Sequence, residues 1–264
     1  MSDFTEAERL AVYRAIYARR DIRTYRPEPV PDDVLWRILE AAHHAPSVGF
    51  MQPWNFILLR DLEQRRRLHD HFREVSAQAA EQYRDDRQAR YRALKLQGIL
   101  DAPLNVLITC DTRRGGESVL GRFTIPETDA YSTCLAVQNF WLAARAEGVG
   151  VGWMSIMENA FLRELLGMPD HVIPIAYLTV GYPIAFPQTP MLERVGWRRR
   201  ENLHELVSEE RWGGPPPQAP VSPAPAPAPR TDLAPPTAAL RRNADLTKPP
   251  GSLGQLEEVT LKLC

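Results

Sequence analysis

A proline-rich segment near the end of the chain limits how these 264 residues can be organised. Ten of the 22 residues from Pro215 to Pro236 are proline, and five of the other twelve are alanine. Such a segment has too little apolar mass to form a core and favours extended polyproline geometry. The sequence therefore predicts one folded domain over residues 1–213, a stiff linker over 214–240 and a separate short piece over 241–264.

Composition and charge exclude several classes of protein. With 44% hydrophobic residues the chain has enough apolar mass for a sizeable core, and its net charge of −1 is unlike that of nucleic-acid-binding domains. No apolar run approaches the roughly 18 residues of a membrane span, and the acidic N-terminal sequence MSDFTEAERL is unlike a signal peptide. Three scattered cysteines are too few for a disulfide framework or a zinc cage. We therefore expect a cytoplasmic protein that binds no nucleic acid, no membrane and no metal.

Hydrophobic periodicity and capping signals predict alternating helices and short strands in the first domain. The expected helices lie at about residues 5–20, 31–42, 62–100, 129–147 and 158–166, and the expected strands at 55–59, 104–110, 148–155 and 173–181. Thr5 and Glu8 form the pattern of a capping box, and Gly167 is placed to end the last helix. The stretch 129–147 is apolar almost all round, which predicts a buried central helix. This order favours an α+β or α/β domain around one mixed sheet.

Two arginine-rich runs are candidate anion-binding segments. Residues 19–23 (RRDIR) follow directly on the first predicted helix. Arg19 and Arg23 are four residues apart, so a continued helix places both on one face, where they would grip one phosphate. A positively charged helix end that offsets the helix dipole explains the same residues equally well. Residues 197–200 (WRRR) are likewise either a second phosphate clamp or a solvated charge run.

Two further segments carry polar groups beside glycine or proline. Residues 45–56 (APSVGFMQPWNF) offer Ser47 and Gln52 to a polar ligand, although a turn held by local side-chain bonds has the same composition. In residues 148–155 (GVGVGWMS), three alternating glycines would let the backbone approach a flat ligand, and Ser155 follows with a hydroxyl. This segment is not the dinucleotide-binding fingerprint, because its glycine spacing and its order of strand and helix differ.

In this order the four segments resemble the pattern of the FMN-dependent nitroreductase family, over residues 10–210. The resemblance implies a mixed sheet flanked by helices and an interlocked homodimer with two FMN sites at its interface. It also implies that Arg19, Arg23 and Arg200 hold the FMN phosphate and that Ser47 and Gln52 reach the flavin and ribityl groups. The remaining candidate FMN contacts are Arg20, Asp21, Ile22, Pro46, Met51, Leu96, Leu104, Ser155 and Arg198.

Asp21 indicates one branch of this family, because ordinary nitroreductases carry serine at this position. The segment with Asp21, residues 45–56 and residues 148–156 are together similar to the aerobic dimethylbenzimidazole synthases, a branch of that family. In that branch reduced FMN is the substrate and O₂ the co-substrate. The products are 5,6-dimethylbenzimidazole, which is the lower ligand of cobalamin, and erythrose 4-phosphate. A separate flavin reductase is then the expected source of reduced FMN.

The resemblance also assigns catalytic roles. Breaking the ribityl chain requires removal of a proton near its first carbon, and a carboxylate beside the flavin is a suitable general base. Asp21 would be that base, kept ionised by neighbouring arginines, and Ser155 would lie near the flavin ring and help to position oxygen. The alternatives are a salt bridge from Asp21 to Arg19, Arg20 or Arg23, and a locally bonded strand-end hydroxyl at Ser155.

The last piece of the chain carries a second resemblance. Residues 243–263 (NADLTKPPGSLGQLEEVTLKL) look like the start of the nicotinate-nucleotide:dimethylbenzimidazole phosphoribosyltransferases, and Ser252 and Gln255 form a capping-box pattern there. The two resemblances concern consecutive steps of one pathway, so we interpret the chain as a fusion whose second part is missing or truncated. None of the transferase's catalytic apparatus is present, and only a functional link to that enzyme is expected.

Two rival functions compete with this interpretation. The first is an NAD(P)H-dependent FMN nitroreductase or flavin reductase, in which FMN turns over and survives; Asp21 in place of serine argues against it. The second is a flavin carrier without chemistry, for which an Asp21→Ala variant would behave like the parent protein.

Overall fold

A capping box determines where the first helix begins. Thr5 Oγ1 accepts the N–H of Glu8 at 3.3 Å while the Glu8 carboxylate accepts the N–H of Thr5 at 2.8 Å, and this predicted capping box starts helix α1 (Glu6–Ala18). Helix α2 (Asp32–His43) follows Pro31, and its predicted apolar stripe is buried. The computed structural model describes residues 3–217. The predicted linker from residue 218 onward and the predicted piece over 241–264 lie outside these residues.

The sheet has four strands in the order β1-β2-β4-β3, and each pair of neighbours is antiparallel. The strands are β1 (Trp54–Leu59), β2 (Leu104–Asp111), β3 (Gly150–Met154) and β4 (Val172–Gly181). A single parallel bridge joins Asp21 to Val151, so the segment after α1 lies along the outer edge of β3. The α+β fold predicted from the sequence is confirmed, but its named strands form an antiparallel sheet and not the mixed sheet that was expected.

Helices cover both faces of the sheet. The remaining helices are α3 (Leu62–Ala80), α4 (Asp85–Ala93), α5 (Thr128–Ala146), α6 (Asn159–Leu166), α7 (Met191–Arg194) and α8 (Leu203–Leu206), and a 3-10 turn spans Val48–Phe50. On one face α2 and α5 bury Phe140 against Val106, and on the other α3 and α6 bury Leu68 against Leu107. Because neighbouring strand residues point to opposite faces, β2 contributes to both cores.

The single long helix predicted over residues 62–100 is wrong. Helix α3 ends at Ala80, and α4 folds back on it after a turn that includes Asp85 with a left-handed φ of 52°. A non-glycine residue in that region interrupts a helix. The turn lets Tyr83 stack on Tyr91 with ring centroids 5.1 Å apart. Periodicity does not detect this break, because both sides of it continue a helical pattern.

Two helices leave apolar faces uncovered within the described part of the protomer. Helix α1 buries none of its residues. Helix α5 buries one side, but Tyr131 is 58% exposed, Leu135 is 45% exposed and Cys134 is also exposed. The expectation that α5 is buried all round is therefore wrong for a single protomer. None of the described helices is long and apolar enough to cross a membrane.

Candidate active site

The Asp21 carboxylate is fixed between strand β3 and an arginine. The N–H of Ile22 donates to the carbonyl of Val151 at 2.9 Å, which aligns the segment with the strand edge. Asp21 Oδ1 then accepts the backbone N–H of Trp153 at 2.8 Å. Arg23 donates from Nη1 to Asp21 Oδ1 at 2.9 Å and lies with Nη2 at 2.5 Å from Oδ2. The structure therefore contains the salt bridge that was the alternative interpretation of Asp21.

Arg23 also donates hydrogen bonds to backbone carbonyls inside the protein. Its Nε donates to the carbonyl of Leu96 at 2.9 Å, Nη1 to that of Ile22 at 3.1 Å and Nη2 to that of Trp153 at 2.5 Å. A guanidinium has five N–H donors; four of them make hydrogen bonds to these carbonyls and to Asp21 Oδ1, and Nη2 also pairs with Asp21 Oδ2. The Arg23 side chain is only 12% exposed. This geometry assigns Arg23 to holding Asp21, and the phosphate contact expected from the sequence stays a prediction.

The pKa of Asp21 is raised above its ordinary value. Loss of water around the carboxyl is the main cause, and it outweighs the lowering of the pKa by Arg23, by the Trp153 N–H and by Arg19. The arginines thus lower the pKa of Asp21, as expected, but the net shift is upward because burial has the larger effect. The side chain still has 41% of its surface exposed, so one side of the carboxyl can meet a ligand.

The glycines of β3 make room for the Asp21 segment. A Cβ at Gly152 would overlap Arg23 Nη1 and the carbonyl oxygen of Ile22, and one at Gly150 would lie 2.9 Å from Ile22 Cγ1. The expectation that these two glycines admit a flat ligand is therefore wrong. Gly150 makes room for the Ile22 side chain, and Gly152 makes room for the Ile22 carbonyl and the Arg23 side chain.

Replacement of Gly152 tests this close approach. We expect Gly152→Ala to lower the free energy of unfolding by roughly 3 kcal/mol, at the upper end of overpacking costs, because clamped atoms cannot move aside. Gly148→Ala is the control, since Gly148 has a φ of 75° but no atom within 4 Å of an added Cβ. Its cost should be about 1 kcal/mol, from backbone strain alone. Urea unfolding measures both values, and equal losses would contradict the packing role.

Residues 45–56 form a strained turn that presents polar groups. Ser47 Oγ accepts the N–H of Gln52 at 3.1 Å. Gly49, Phe50 and Gln52 have positive φ values of 58°, 53° and 50°. Such conformations are costly for residues other than glycine and are found at binding sites. Pro46 is exposed, Ser47 and Gln52 are half-buried, and the Gln52 amide makes no hydrogen bond to any described residue.

Three predicted contacts have side chains that are closed to a ligand. Ile22, Met51 and Leu104 are 3%, 4% and 3% exposed, respectively. Leu104 belongs to the core cluster under α2 and α5, and Met51 Sδ accepts a hydrogen bond from Arg122 at 3.4 Å. Their predicted contacts with FMN stay predictions, which the burial of these side chains in the described protomer does not favour. Leu96 is half-buried and remains available.

Arg19 and Arg200 are two positive charges that interact electrostatically. Burial lowers the pKa of Arg19; Asp21 opposes this shift, and the charge of Arg200 adds to it. The Arg19 guanidinium lies 4.7 Å from the ring centroid of Trp141. Among residues 3–217, neither arginine makes an ion pair within 4.0 Å. Two arginines without a counter-ion fit the dianionic phosphate of FMN.

The two other candidate arginines are bonded to protein groups. Arg20 donates to the carbonyls of Tyr17 at 2.7 Å and Arg19 at 2.6 Å, and it also donates to the carbonyl of Gln188. Arg198 is exposed and pairs with Glu201 at 3.4 Å. The bonds of Arg20 fix the turn after α1 instead of reaching a ligand.

Ser155 lies at the end of β3, two residues beyond the amide that binds Asp21. Its side chain is exposed, and its hydroxyl makes no hydrogen bond to any described residue. The locally bonded hydroxyl that was the alternative is thus not observed in this part of the chain. Asp21 and Ser155 therefore lie along the same end of β3, and each has exposed surface.

Sequence reasoning missed the ion pair that anchors the loop before α5. Arg122 Nε lies 3.0 Å from Asp129 Oδ1, and the two side chains are 15% and 6% exposed. Arg122 also donates to the carbonyls of Arg114 at 2.6 Å and Gly116 at 2.8 Å. Together with its bond to Met51 Sδ, these contacts hold the loop against residues 45–56. No sequence signal separates Arg122 from the many other arginines of the chain.

Comparisons with known proteins identify the family and the fold. A family model described as "Nitroreductase family" matches residues 16–182. A 5,6-dimethylbenzimidazole synthase of Rhodospirillum rubrum is 39% identical over 182 residues, which cover 69% of this chain and 86% of that protein. A 5,6-dimethylbenzimidazole synthase of Rhodobacter capsulatus is 34% identical over 201 residues, 76% of this chain and 96% of that protein. The crystal structure of iodotyrosine deiodinase bound to FMN and 3-iodo-L-tyrosine has the same fold, with a TM-score of 0.60, 20% identity and coverage of 76% of this chain and 100% of that one.

Proposed function

This chain belongs to the nitroreductase family, and we propose that it converts reduced FMN and O₂ to 5,6-dimethylbenzimidazole and erythrose 4-phosphate. The observation that carries the proposal is the fixed carboxylate of Asp21, which has an amide N–H and an arginine on one side and exposed surface on the other. The names of the relatives from Rhodospirillum and Rhodobacter support the same activity.

The binding part of the proposal uses residues that the structure leaves free to meet a ligand. Arg19 and Arg200 would hold the FMN phosphate, and Ser47, Gln52 and Leu96 would contact the ribityl and flavin groups. When bound, FMN would supply the reduced ring that reacts with oxygen and the ribityl chain that is cleaved. Arg23 contributes indirectly, because it sets the direction of the Asp21 carboxylate.

Asp21 would act as the general base near the first ribityl carbon. A base must be ionised and must point a lone pair at the proton that it removes. Burial raises the pKa of Asp21, so its carboxylate is a stronger base than that of an ordinary aspartate. The exposed hydroxyl of Ser155 would donate a hydrogen bond that positions oxygen.

The fate of the flavin separates this proposal from an NAD(P)H-dependent nitroreductase. The protein is loaded with FMN without air, reduced chemically and exposed to oxygen while flavin absorbance is followed. We expect the absorbance of oxidised FMN to remain low, because the flavin is consumed. Full return of that absorbance, together with rapid oxidation of NADH or NADPH by a nitro compound, would support the nitroreductase instead.

A homodimer is the expected assembly, since nitroreductase family proteins are commonly dimeric. The exposed apolar side chains of α1 and α5 are of the kind that a partner subunit covers. An FMN site between two copies of this chain is the corresponding arrangement.

A charge on this face should dissociate the dimer. We expect Leu135→Glu to shift the protein from dimer to monomer, because a carboxylate would be buried without a partner. Trp36→Glu is the control, since Trp36 is 68% exposed on α2, away from the two faces. Light scattering coupled to gel filtration measures the mass. A parent protein that is monomeric, or a Leu135→Glu variant that stays dimeric, would contradict the assignment of this face.

Three partner and location predictions remain proposals. The reaction consumes FMN, so a separate flavin reductase would supply reduced FMN. The product would pass to a dimethylbenzimidazole phosphoribosyltransferase, as the resemblance of residues 243–263 suggests. A cytoplasmic location is the third of these proposals.

A further inference from the structure

The short segment that carries Arg200 is attached to the rest of the fold by one aromatic side chain. The ring of Trp197 lies 5.3 Å from that of Tyr83 at an angle of 79°, and 6.3 Å from that of Tyr91 at 53°. The Arg87 guanidinium carbon lies 5.0 Å from the Trp197 ring and 5.4 Å from the Tyr83 ring. We call Tyr83, Arg87 and Tyr91 the Trp197 clamp.

The backbone turns sharply as it reaches the clamp. Gly196 has a φ of 69°, and the N–H groups of Trp197 and Arg198 both donate to the carbonyl of Leu192, at 2.8 and 3.4 Å. These bonds close α7 and turn the chain so that Trp197 points at α4. Trp197 is half-buried, whereas Arg198, Arg199 and Arg200 are exposed.

Beyond Trp197, this segment has little else to fix it among residues 3–217. Its polar side-chain contact is the exposed pair between Arg198 and Glu201, at 3.4 Å. A solvent-exposed pair of this kind contributes little order. The conformation of Arg200 therefore depends on how Trp197, three residues before it, packs against the clamp.

We propose that the Trp197 clamp positions Arg200 and thereby sets the preference of the site for a phosphorylated flavin over an unphosphorylated one. The inference rests on the proposed function, in which Arg200 binds the FMN phosphate. An arginine held in place before binding loses less conformational entropy when it meets phosphate, so its contact contributes more to affinity. Removal of the clamp should weaken the binding of FMN and leave the binding of riboflavin, which has no phosphate, unchanged. Trp197 is a positioning residue in this account and does not touch the ligand.

The test compares dissociation constants for FMN and riboflavin, measured by quenching of flavin fluorescence. We expect Trp197→Ala to raise the dissociation constant for FMN about tenfold and to leave that for riboflavin within about twofold. Trp197→Phe should keep most of the parent preference, because a smaller ring still fills the clamp. Trp36→Ala, which removes an exposed tryptophan elsewhere, should change neither constant. Arg87→Leu keeps Trp197 and removes the cation, and should give a smaller loss of the same kind.

A double-variant measurement separates this inference from the proposed function. In an Arg200→Ala background, Trp197→Ala should have no further effect on FMN binding, because the positioned group is gone. Two results would overturn the role of the clamp alone, provided that Arg200→Ala still weakens the binding of FMN selectively. In the first, Trp197→Ala weakens the binding of FMN and of riboflavin equally. In the second, Trp197→Ala weakens neither. A parent protein that binds FMN and riboflavin equally would overturn the phosphate site, and the inference with it.

Discussion

Asp21→Asn is expected to lower the rate of 5,6-dimethylbenzimidazole formation at least about 100-fold, since a positioned general base contributes roughly 10²–10⁴. The amide keeps the shape of the side chain, and its oxygen can still accept the Trp153 N–H, but it cannot accept the ribityl proton. FMN affinity should change little. The measurement is the amount of product formed in a single turnover from enzyme-bound reduced FMN.

Asp33→Asn is a matched control for this variant. Asp33 is an exposed aspartate that also pairs with an arginine, at 2.9 Å from Arg37. We expect this variant to retain the parent rate. If Asp21→Asn formed product as fast as Asp33→Asn does, Asp21 would not be the base, and the proposed mechanism would be wrong.

The pH dependence of the rate and of the Tm should also reflect the raised pKa of Asp21. A general base works when ionised, so the rate should rise as pH increases through the raised pKa of Asp21, above the ordinary aspartate value of about 3.9. A raised pKa also means that protonation of Asp21 stabilises the folded state. This stabilisation is complete at pH values below the pKa of Asp21 in the unfolded chain, and it is lost as pH rises through the pKa in the folded protein. The Tm of Asp21→Asn relative to that of the parent should therefore increase across this window. A relative Tm that falls would contradict the direction of the shift.

Arg19→Ala and Arg200→Ala are expected to weaken FMN binding by roughly 10- to 100-fold each, because a hydrogen bond to a charged group contributes about 1.5–3 kcal/mol. Riboflavin affinity should be nearly unchanged. The double variant should bind FMN and riboflavin alike, and titration of flavin fluorescence measures both. Arg66→Ala, which removes an exposed arginine of α3, is the control.

Arg23→Ala should behave differently from the other two. Four of its five N–H donors make hydrogen bonds inside the protein and its guanidinium pairs with Asp21, so its loss should weaken the binding of FMN and riboflavin to a similar extent and release the Asp21 carboxylate. A selective loss of FMN affinity in Arg23→Ala would restore the phosphate role expected from the sequence. Unchanged FMN affinity in Arg19→Ala and Arg200→Ala would contradict the phosphate site itself.

Features set by neighbouring residues were predictable from the sequence. The Thr5–Glu8 capping box starts α1, and Gly167 ends α6 with a left-handed φ of 63°. The four strands and most helices lie within a few residues of their predicted positions. Each of these signals depends on residues within one or two turns of one another, where propensity and capping act directly.

Features set by distant residues were not predictable in the same way. Arg23 reaches Trp153, 130 residues away, and Leu96, 73 residues away, and its local spacing from Arg19 did not reveal these partners. The space beside Gly152 is filled by Ile22 and Arg23, which no glycine pattern reveals. Met51 and Leu104 lie in segments for which the sequence predicts FMN contacts, and only the packed structure shows that their side chains are buried.

The most direct test of the account is the identity of the products formed when the FMN-loaded, chemically reduced parent protein meets air. Mass analysis should find 5,6-dimethylbenzimidazole and erythrose 4-phosphate in equal amounts, with a matching loss of FMN. Quantitative recovery of intact oxidised FMN, from protein that is folded and loaded, would contradict the account.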